Sequence, residues 1–212
     1  MLPRLLLLVL LSLVVGAAPP AAGTASTAGL GLPGVDAVAR LYPVYEGGQE
    51  RVSGYRRVFA TGADCVTTEA LLVAPAGRTA DYLTARLADE PYGHGLDVPH
   101  VAALRFDSAD AARTAVAEVR SYAERCRGRH RVRGEVNRVG PLPLPPVGTA
   151  RAGFVGFHRS SYGAEHLMVT AASRGRSVAV GLLFNARRPV DRDDAVALLR
   201  LQLAALGDPG AR

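Results

Sequence analysis

Lysine and tryptophan are absent from this chain, and cysteine is scarce. The 212 residues carry 25 Lys plus Arg, every one of them Arg, against 19 Asp plus Glu, which gives a net charge of +6 with only two Cys. Two cysteines exclude a four-cysteine zinc site and a small fold held together by several disulfides. Arginine and lysine differ in their chemistry, but arginine at every basic position indicates a GC-rich genome. A single arginine is therefore weak evidence of function.

Recognisable catalytic and cofactor-binding motifs are also missing. The sequence has no H-E-x-x-H pair, no G-x-S-x-G turn, no P-loop and no dinucleotide-binding fingerprint that joins a strand to a helix. Apolar residues make up 49% of the chain, which excludes wholesale disorder and collagen-like repeats. We therefore predict a globular protein that is not an enzyme and uses neither a cofactor nor a metal.

The first 28 residues have the layout of a secretory signal peptide. Arg4 supplies a positive charge, residues 5–15 are almost entirely apolar, and small residues follow as far as Ala28. The apolar stretch is shorter than the roughly 20 residues of a spanning helix. We predict that residues 1–28 are removed and that residues 29–212 form a single secreted, extracellular domain. The alternative is an uncleaved N-terminal membrane anchor. Export argues against a nucleic-acid partner.

Hydrophobic spacing predicts three helices, and period-two alternation predicts the strands. The helices cover residues 30–42, a stretch from the Asp107–Ser108 cap to about Cys126, and a last stretch that begins near Asp191. The predicted strands are residues 55–60, 70–74, 81–88, 100–106, 127–139, 152–159, 165–173 and 176–185. Residues 81–88 also fit a helix, and we favour the strand. Residues 45–54 are predicted to be a loop and residues 76–79 a turn. This order predicts an α+β domain, a monomer, with a twisted antiparallel sheet of about six strands and helices packed mainly on one face.

The two cysteines are predicted to form a disulfide. An exported chain meets an oxidising compartment, and Cys65 can pair only with Cys126. Cys126 closes the apolar stripe of the second helix, and Cys65 lies beside an apolar run. The bond would close a loop of about 62 residues, which chain-entropy reasoning values at about 4 kcal/mol. The alternative is two free buried thiols.

Four arginines alternate with other residues directly after the second helix. They are Arg127, Arg129, Arg131 and Arg133. On a strand, a period of two places all four on one face, where guanidinium groups suit phosphate or carboxylate oxygens. We predict an anion-binding ridge at these positions. The alternative is the solvated face of a strand.

Two histidines flank a predicted hairpin turn. His158 and His166 could meet across that turn and, with Glu165, hold a metal ion. Ordinary surface histidines are the more common outcome, so no metal site is predicted.

Three features of the sequence resemble a known family. They are the Asp64–Cys65 pair, the loop around Pro91, and a strand that leads through Phe106 into a helix ending at Cys126. With the F-x-S-A-x-x-A junction over residues 106–112, they resemble the PknH-like extracellular sensor domain of actinobacteria. The resemblance covers residues 30–206 and implies an α+β sheet with a solvent-open groove for an unidentified small ligand.

The chain also departs from the family pattern. Ala123 stands where the family often has Trp, and no Cys after Cys126 could form the family's second disulfide. The sequence contains no kinase domain and no lipobox. We therefore expect an exported, non-enzymatic, sensor-like or ligand-binding domain with an unknown ligand. The alternative is a cell-envelope interaction protein whose basic strand face binds anionic polymers or lipids. A secreted hydrolase with an unrecognised site is a third hypothesis.

Overall fold

The computed structural model describes residues 30–61, 64–65, 68–85, 97–132, 135–160 and 163–207. The predicted signal peptide, residues 1–28, and Arg133 lie outside these ranges. The helices are α1 (Val35–Ala39), α2 (Ala109–Arg125) and α3 (Arg192–Ala205), with a 3-10 turn at Pro43–Tyr45. The strands are β1 (Gln49–Ser53), β2 (Arg57–Thr61), β3 (Thr68–Val73), β4 (Ala76–Leu83), β5 (Val98–Arg105), β6 (Gly128–Val132), β7 (Glu135–Pro141), β8 (Arg151–Ser160), β9 (Gly163–Arg174) and β10 (Ser177–Asn185).

One sheet of eight strands forms the centre of the fold, in the order β1-β4-β5-β10-β9-β8-β7-β6, and β2 and β3 form a separate hairpin. Every neighbouring pair in the large sheet is antiparallel. The predicted α+β class and antiparallel sheet are confirmed, but the predicted number of about six strands is wrong. Residues 127–139, predicted as one strand, are the β6–β7 hairpin, and β1 and the start of β4 lie in segments predicted to be a loop and a turn.

Helices cover both faces of the sheet. The buried side chains of α2 pack with Phe154, Val169 and Val180, and those of α3 pack with Ala172 and Ala179. We call these two sides the α2 face and the α3 face. The prediction that the helices lie mainly on one face is wrong. The six consecutive residues 168–173 of β9 are all buried, and a strand buried on both sides needs cover on both sides.

A disulfide between Cys65 and Cys126 joins the segment before β3 to the end of α2 on the α2 face, as predicted. Side chains from the two outer strands hold the backbone at both cysteines. Asn137 Nδ2 donates to the carbonyl oxygen of Cys65 at 2.7 Å, and His130 Nε2 lies 2.9 Å from the carbonyl oxygen of Cys126, which can only accept. The cystine therefore attaches the β2–β3 hairpin, α2 and the β6–β7 edge to one another.

Side-chain caps fix the starts of the two longer helices, as their sequences predict. Ser108 Oγ accepts from the backbone N–H of Ala111 at 3.0 Å, and the Asp191 carboxylate accepts from Asp193 N at 2.7 Å. These bonds satisfy N–H groups that have no partner inside the helix. In the part of the chain that the structure describes, no helix is both long and apolar enough to span a membrane.

Candidate anion-binding groove

The outer part of the α3 face is uncovered. Helix α3 contacts β5, β9 and β10. The two residues Pro189 and Val190, which precede the helix, line a groove together with Met168 of β9. This open groove of about 610 Å³ lies over β7, β8 and β9, with Arg129 of β6 at its rim. The groove therefore lies where the sheet extends past the helix that covers its centre.

Strand pairing gathers one row of polar and aromatic side chains across this groove. Arg129 is directly opposite Arg138, Arg138 is opposite Phe157, and Phe157 is opposite His166. Direct cross-strand partners share a face and have Cβ atoms about 5 Å apart. Like charges directly opposite one another destabilise a sheet, so the Arg129–Arg138 pair costs stability unless an anion lies between the two guanidinium groups.

A third arginine lies at the same end of the groove. Arg159 is opposite Val136, and its guanidinium carbon lies 5.7 Å from the centre of the Phe157 ring. The Phe157 ring in turn contacts the His166 ring, with centroids 4.9 Å apart. The Phe157 ring therefore contacts both Arg159 and His166, and attraction between the cation and the ring orients the Arg159 side chain.

No carboxylate neutralises these arginines within the described residues. The described residues that line the groove include Arg129, Arg138 and Arg159 but no Asp or Glu. The four ion pairs in the described ranges involve other side chains: His100–Asp81, Arg113–Asp110, Arg127–Glu124 and Arg188–Asp97. The groove is consequently a positive site with three exposed guanidinium groups, and such groups donate hydrogen bonds to phosphate and carboxylate oxygens.

The predicted arginine ridge divides into members with different surroundings. Arg129 lines the groove, and Arg131 is exposed on the same face of β6, opposite Val136 but outside the groove lining. Arg127 precedes the strand and pairs with Glu124 at 3.3 Å, and Arg133 lies outside the described residues. Sequence reasoning missed Arg138 and Arg159. They belong to β7 and β8 and reach Arg129 only through strand pairing, which the sequence pattern does not reveal.

The expectation that His158 and His166 could meet across the hairpin is wrong. His158 pairs with Glu165 on the α2 face, whereas His166 pairs with Phe157 on the α3 face, because successive residues of a strand point to opposite sides. Among the described residues no group of three or more His, Cys, Asp or Glu could hold a metal ion.

One histidine–carboxylate pair does form, far from the groove. His100 Nδ1 donates to Asp81 Oδ1 between neighbouring positions of β4 and β5, and this bond holds the pKa of the Asp81 carboxyl below its usual value. Neither residue lines the groove. The pair therefore joins the neighbouring strands β4 and β5 and is not part of the groove.

The fold is similar to that of a solved extracellular domain. The extracellular domain of PknH from Mycobacterium tuberculosis matches with a TM-score of 0.50 at 10% identity, over 79% of this chain and 90% of that chain. An uncharacterised protein of Mycobacterium smegmatis, a Rv0999 ortholog, matches with a TM-score of 0.41 at 14% identity, over 80% of this chain and 74% of that chain. The expected resemblance to the PknH-like domain is confirmed for the fold. No family model and no curated protein matches the chain.

Proposed function

We propose that this chain is an exported, non-enzymatic domain that binds a small anionic ligand in the groove on the α3 face. The observation that carries the proposal is the opposition of Arg129 and Arg138 at the rim, with Arg159 beside them and no carboxylate among the described lining residues. A phosphate or carboxylate between these groups would replace a repulsion by charge-assisted hydrogen bonds. The likeness of the fold to an extracellular domain supports the export part of the proposal.

Titration of the purified protein with inorganic phosphate at low salt tests the site. We expect Arg138→Ala to weaken phosphate binding about tenfold, since a hydrogen bond to a charged group contributes about 1.5 kcal/mol or more. Arg129→Ala should have a similar effect. Arg131→Ala is the matched control, because it removes the same charge from the same face of β6 outside the groove lining. It should weaken binding less than Arg138→Ala does, since it removes a nearby charge but no hydrogen bond to the anion.

The alternative is a cell-envelope interaction protein that uses the basic face without a discrete pocket. The exposure of both Arg129 and Arg131 on the edge strand β6 favours it. In that case Arg131→Ala and Arg138→Ala would weaken binding to polyphosphate equally, in proportion to the charge removed, and added salt would abolish binding for every variant. Equal losses would therefore overturn the groove site, and the absence of phosphate binding at low salt would overturn anion binding altogether.

A further inference from the structure

We infer that the ligand of the groove is an amphiphilic anion, a phosphate or carboxylate attached to an apolar chain. This inference rests on the proposed function and adds the chemical class of the ligand.

The groove changes character from one end to the other. The row that holds Arg138 and Phe157 is followed, two residues further along β7, by a row made of Gly140, Val155 and Met168. Two residues of a strand correspond to about 7 Å. Apart from the arginines and His166, the described lining residues are apolar, and they include Pro189 and Val190. An anionic group held by the arginines would therefore place whatever is bonded to it over an apolar floor.

Gly140 keeps the apolar end open. A Cβ added there would lie 3.5 Å from Cγ2 of Val155, an ordinary van der Waals contact, and the backbone at Gly140 does not adopt the left-handed conformation that requires glycine. The strand thus permits a side chain at this position, and such a side chain would occupy the groove above Val155. Space over an apolar floor suits an alkyl chain better than a hydrated polar group.

The lining sets the direction of the ligand. The arginines Arg129, Arg138 and Arg159 line one part of the groove, and Pro189 and Val190 belong to its apolar part. The anionic head therefore belongs at Arg129 and Arg138, and the apolar chain points toward Pro189–Val190.

The test is a titration of the purified protein with inorganic phosphate, butyl phosphate and octyl phosphate, all as monomers in solution. We expect the affinity to rise about threefold to fourfold for each methylene that enters the groove, and octyl trimethylammonium to bind far more weakly. Equal affinities for phosphate and octyl phosphate would overturn the amphiphile and leave the proposed function standing. Failure of both to bind would overturn both.

Gly140→Leu tests the apolar end of the groove. In this variant the ratio of the octyl phosphate affinity to the inorganic phosphate affinity should fall toward one, whereas Gly54→Leu, at a glycine whose added Cβ has no neighbour within 4 Å, should keep the ratio of the unchanged protein. Gly140→Ala provides a smaller change should the leucine variant unfold, and it should lose part of the gain from chain length. An undiminished gain in a folded Gly140→Leu variant would overturn the assignment of the chain to the groove.

Vesicles distinguish the two sources of such an anion. Cosedimentation with phosphatidylglycerol vesicles that is lost in Gly140→Leu would assign the ligand to a membrane lipid, and binding of octyl phosphate without vesicle binding would assign it to a free amphiphile. Both results support the inference. Two results together would overturn the inference. The protein would bind vesicles but not octyl phosphate, and Arg131→Ala and Arg138→Ala would weaken vesicle binding equally.

Discussion

The outer strands β7 and β8 present two different surfaces on opposite sides of the same backbone. On β8, Phe154 is buried on the α2 face against Tyr122, while Phe157 is partly exposed on the α3 face. On β7, Asn137 is buried and holds the cystine backbone, while the next residue, Arg138, is exposed at the groove. The difference arises from the cover, because α2 contacts β7 and β8 whereas α3 contacts β5, β9 and β10.

The two faces of each outer strand should therefore have different roles, one in stability and the other in binding. Side chains on the α2 face should determine how firmly the outer strands are held, and side chains on the α3 face should determine what they bind. Substitutions at adjacent or nearby positions of one strand can therefore test the division with little other change in the protein.

The largest effect should come from the cystine. Replacement of both Cys65 and Cys126 by Ala should lower the free energy of unfolding by about 4 kcal/mol, because the bond joins residues that are 61 positions apart and restricts the unfolded chain. Denaturant unfolding measures the change, and reduction of the unchanged protein should reproduce it. Phosphate affinity of the folded variant should stay within twofold of the original. A loss below about 1 kcal/mol would contradict the importance of the bond for the α2 face.

The two phenylalanines of β8 give the next largest contrast. Phe154→Ala should lower the free energy of unfolding by about 3 kcal/mol or more, since it leaves a cavity beside Tyr122, whose ring centroid is 4.8 Å away. Phe157→Ala should lower it by less than about 1 kcal/mol, because the side chain is partly exposed. Chemical unfolding of both variants provides the measurement. Equal losses would show that the two faces do not divide as described.

The sequence pattern contains some features of this fold and lacks others. The pattern locates β8, β9 and β10 because turn residues bound each run of strand-forming residues. It cannot locate the β6–β7 hairpin, because the period of two continues across the turn, and it misses β1, whose five residues are all exposed. The apolar stripe of α3 predicts a helix but not which face of the sheet it covers. The groove depends on strand pairing that brings Arg129, Arg138 and Arg159 together, so the sequence reveals only Arg129.

A smaller effect is expected at the start of α2. Ser108→Ala removes the acceptor for the N–H of Ala111 and should lower the free energy of unfolding by about 1 kcal/mol. Ser121→Ala is the matched control, because Ser121 is exposed in the body of the same helix and alanine favours the helix there. Thermal unfolding compares the two variants. A Ser108→Ala variant as stable as the Ser121→Ala variant would exclude a contribution from the cap.

The smallest effect depends on pH and concerns the His100–Asp81 pair on the α2 face of β4 and β5. The pKa of the Asp81 carboxyl is lowered in the folded protein, first by the hydrogen bond from His100. Its contribution is therefore fully present above the ordinary carboxyl pKa of 3.8 and is lost as the pH falls through the lowered value. Asp81→Asn should cost less than about 1 kcal/mol at pH 7, since the pair is partly exposed.

Thermal midpoints measured from pH 7 down to about pH 2.5 check this dependence. The curves of the unchanged protein and of Asp81→Asn should converge at the acid end. A difference that persists or grows below the ordinary carboxyl range would contradict the assignment of the lowered pKa to the His100 bond.

The order of the sheet has one more consequence, at its two ends. Strands β1 and β6 are the edges of the large sheet, and an edge strand leaves backbone donors and acceptors that a second chain could pair with. β1 carries Glu50 and Arg51 among five exposed residues, and β6 carries Arg129 and Arg131. Charged side chains along an edge oppose the addition of another strand. The guanidinium groups that favour a small anion would therefore also oppose growth of the sheet from one molecule into the next.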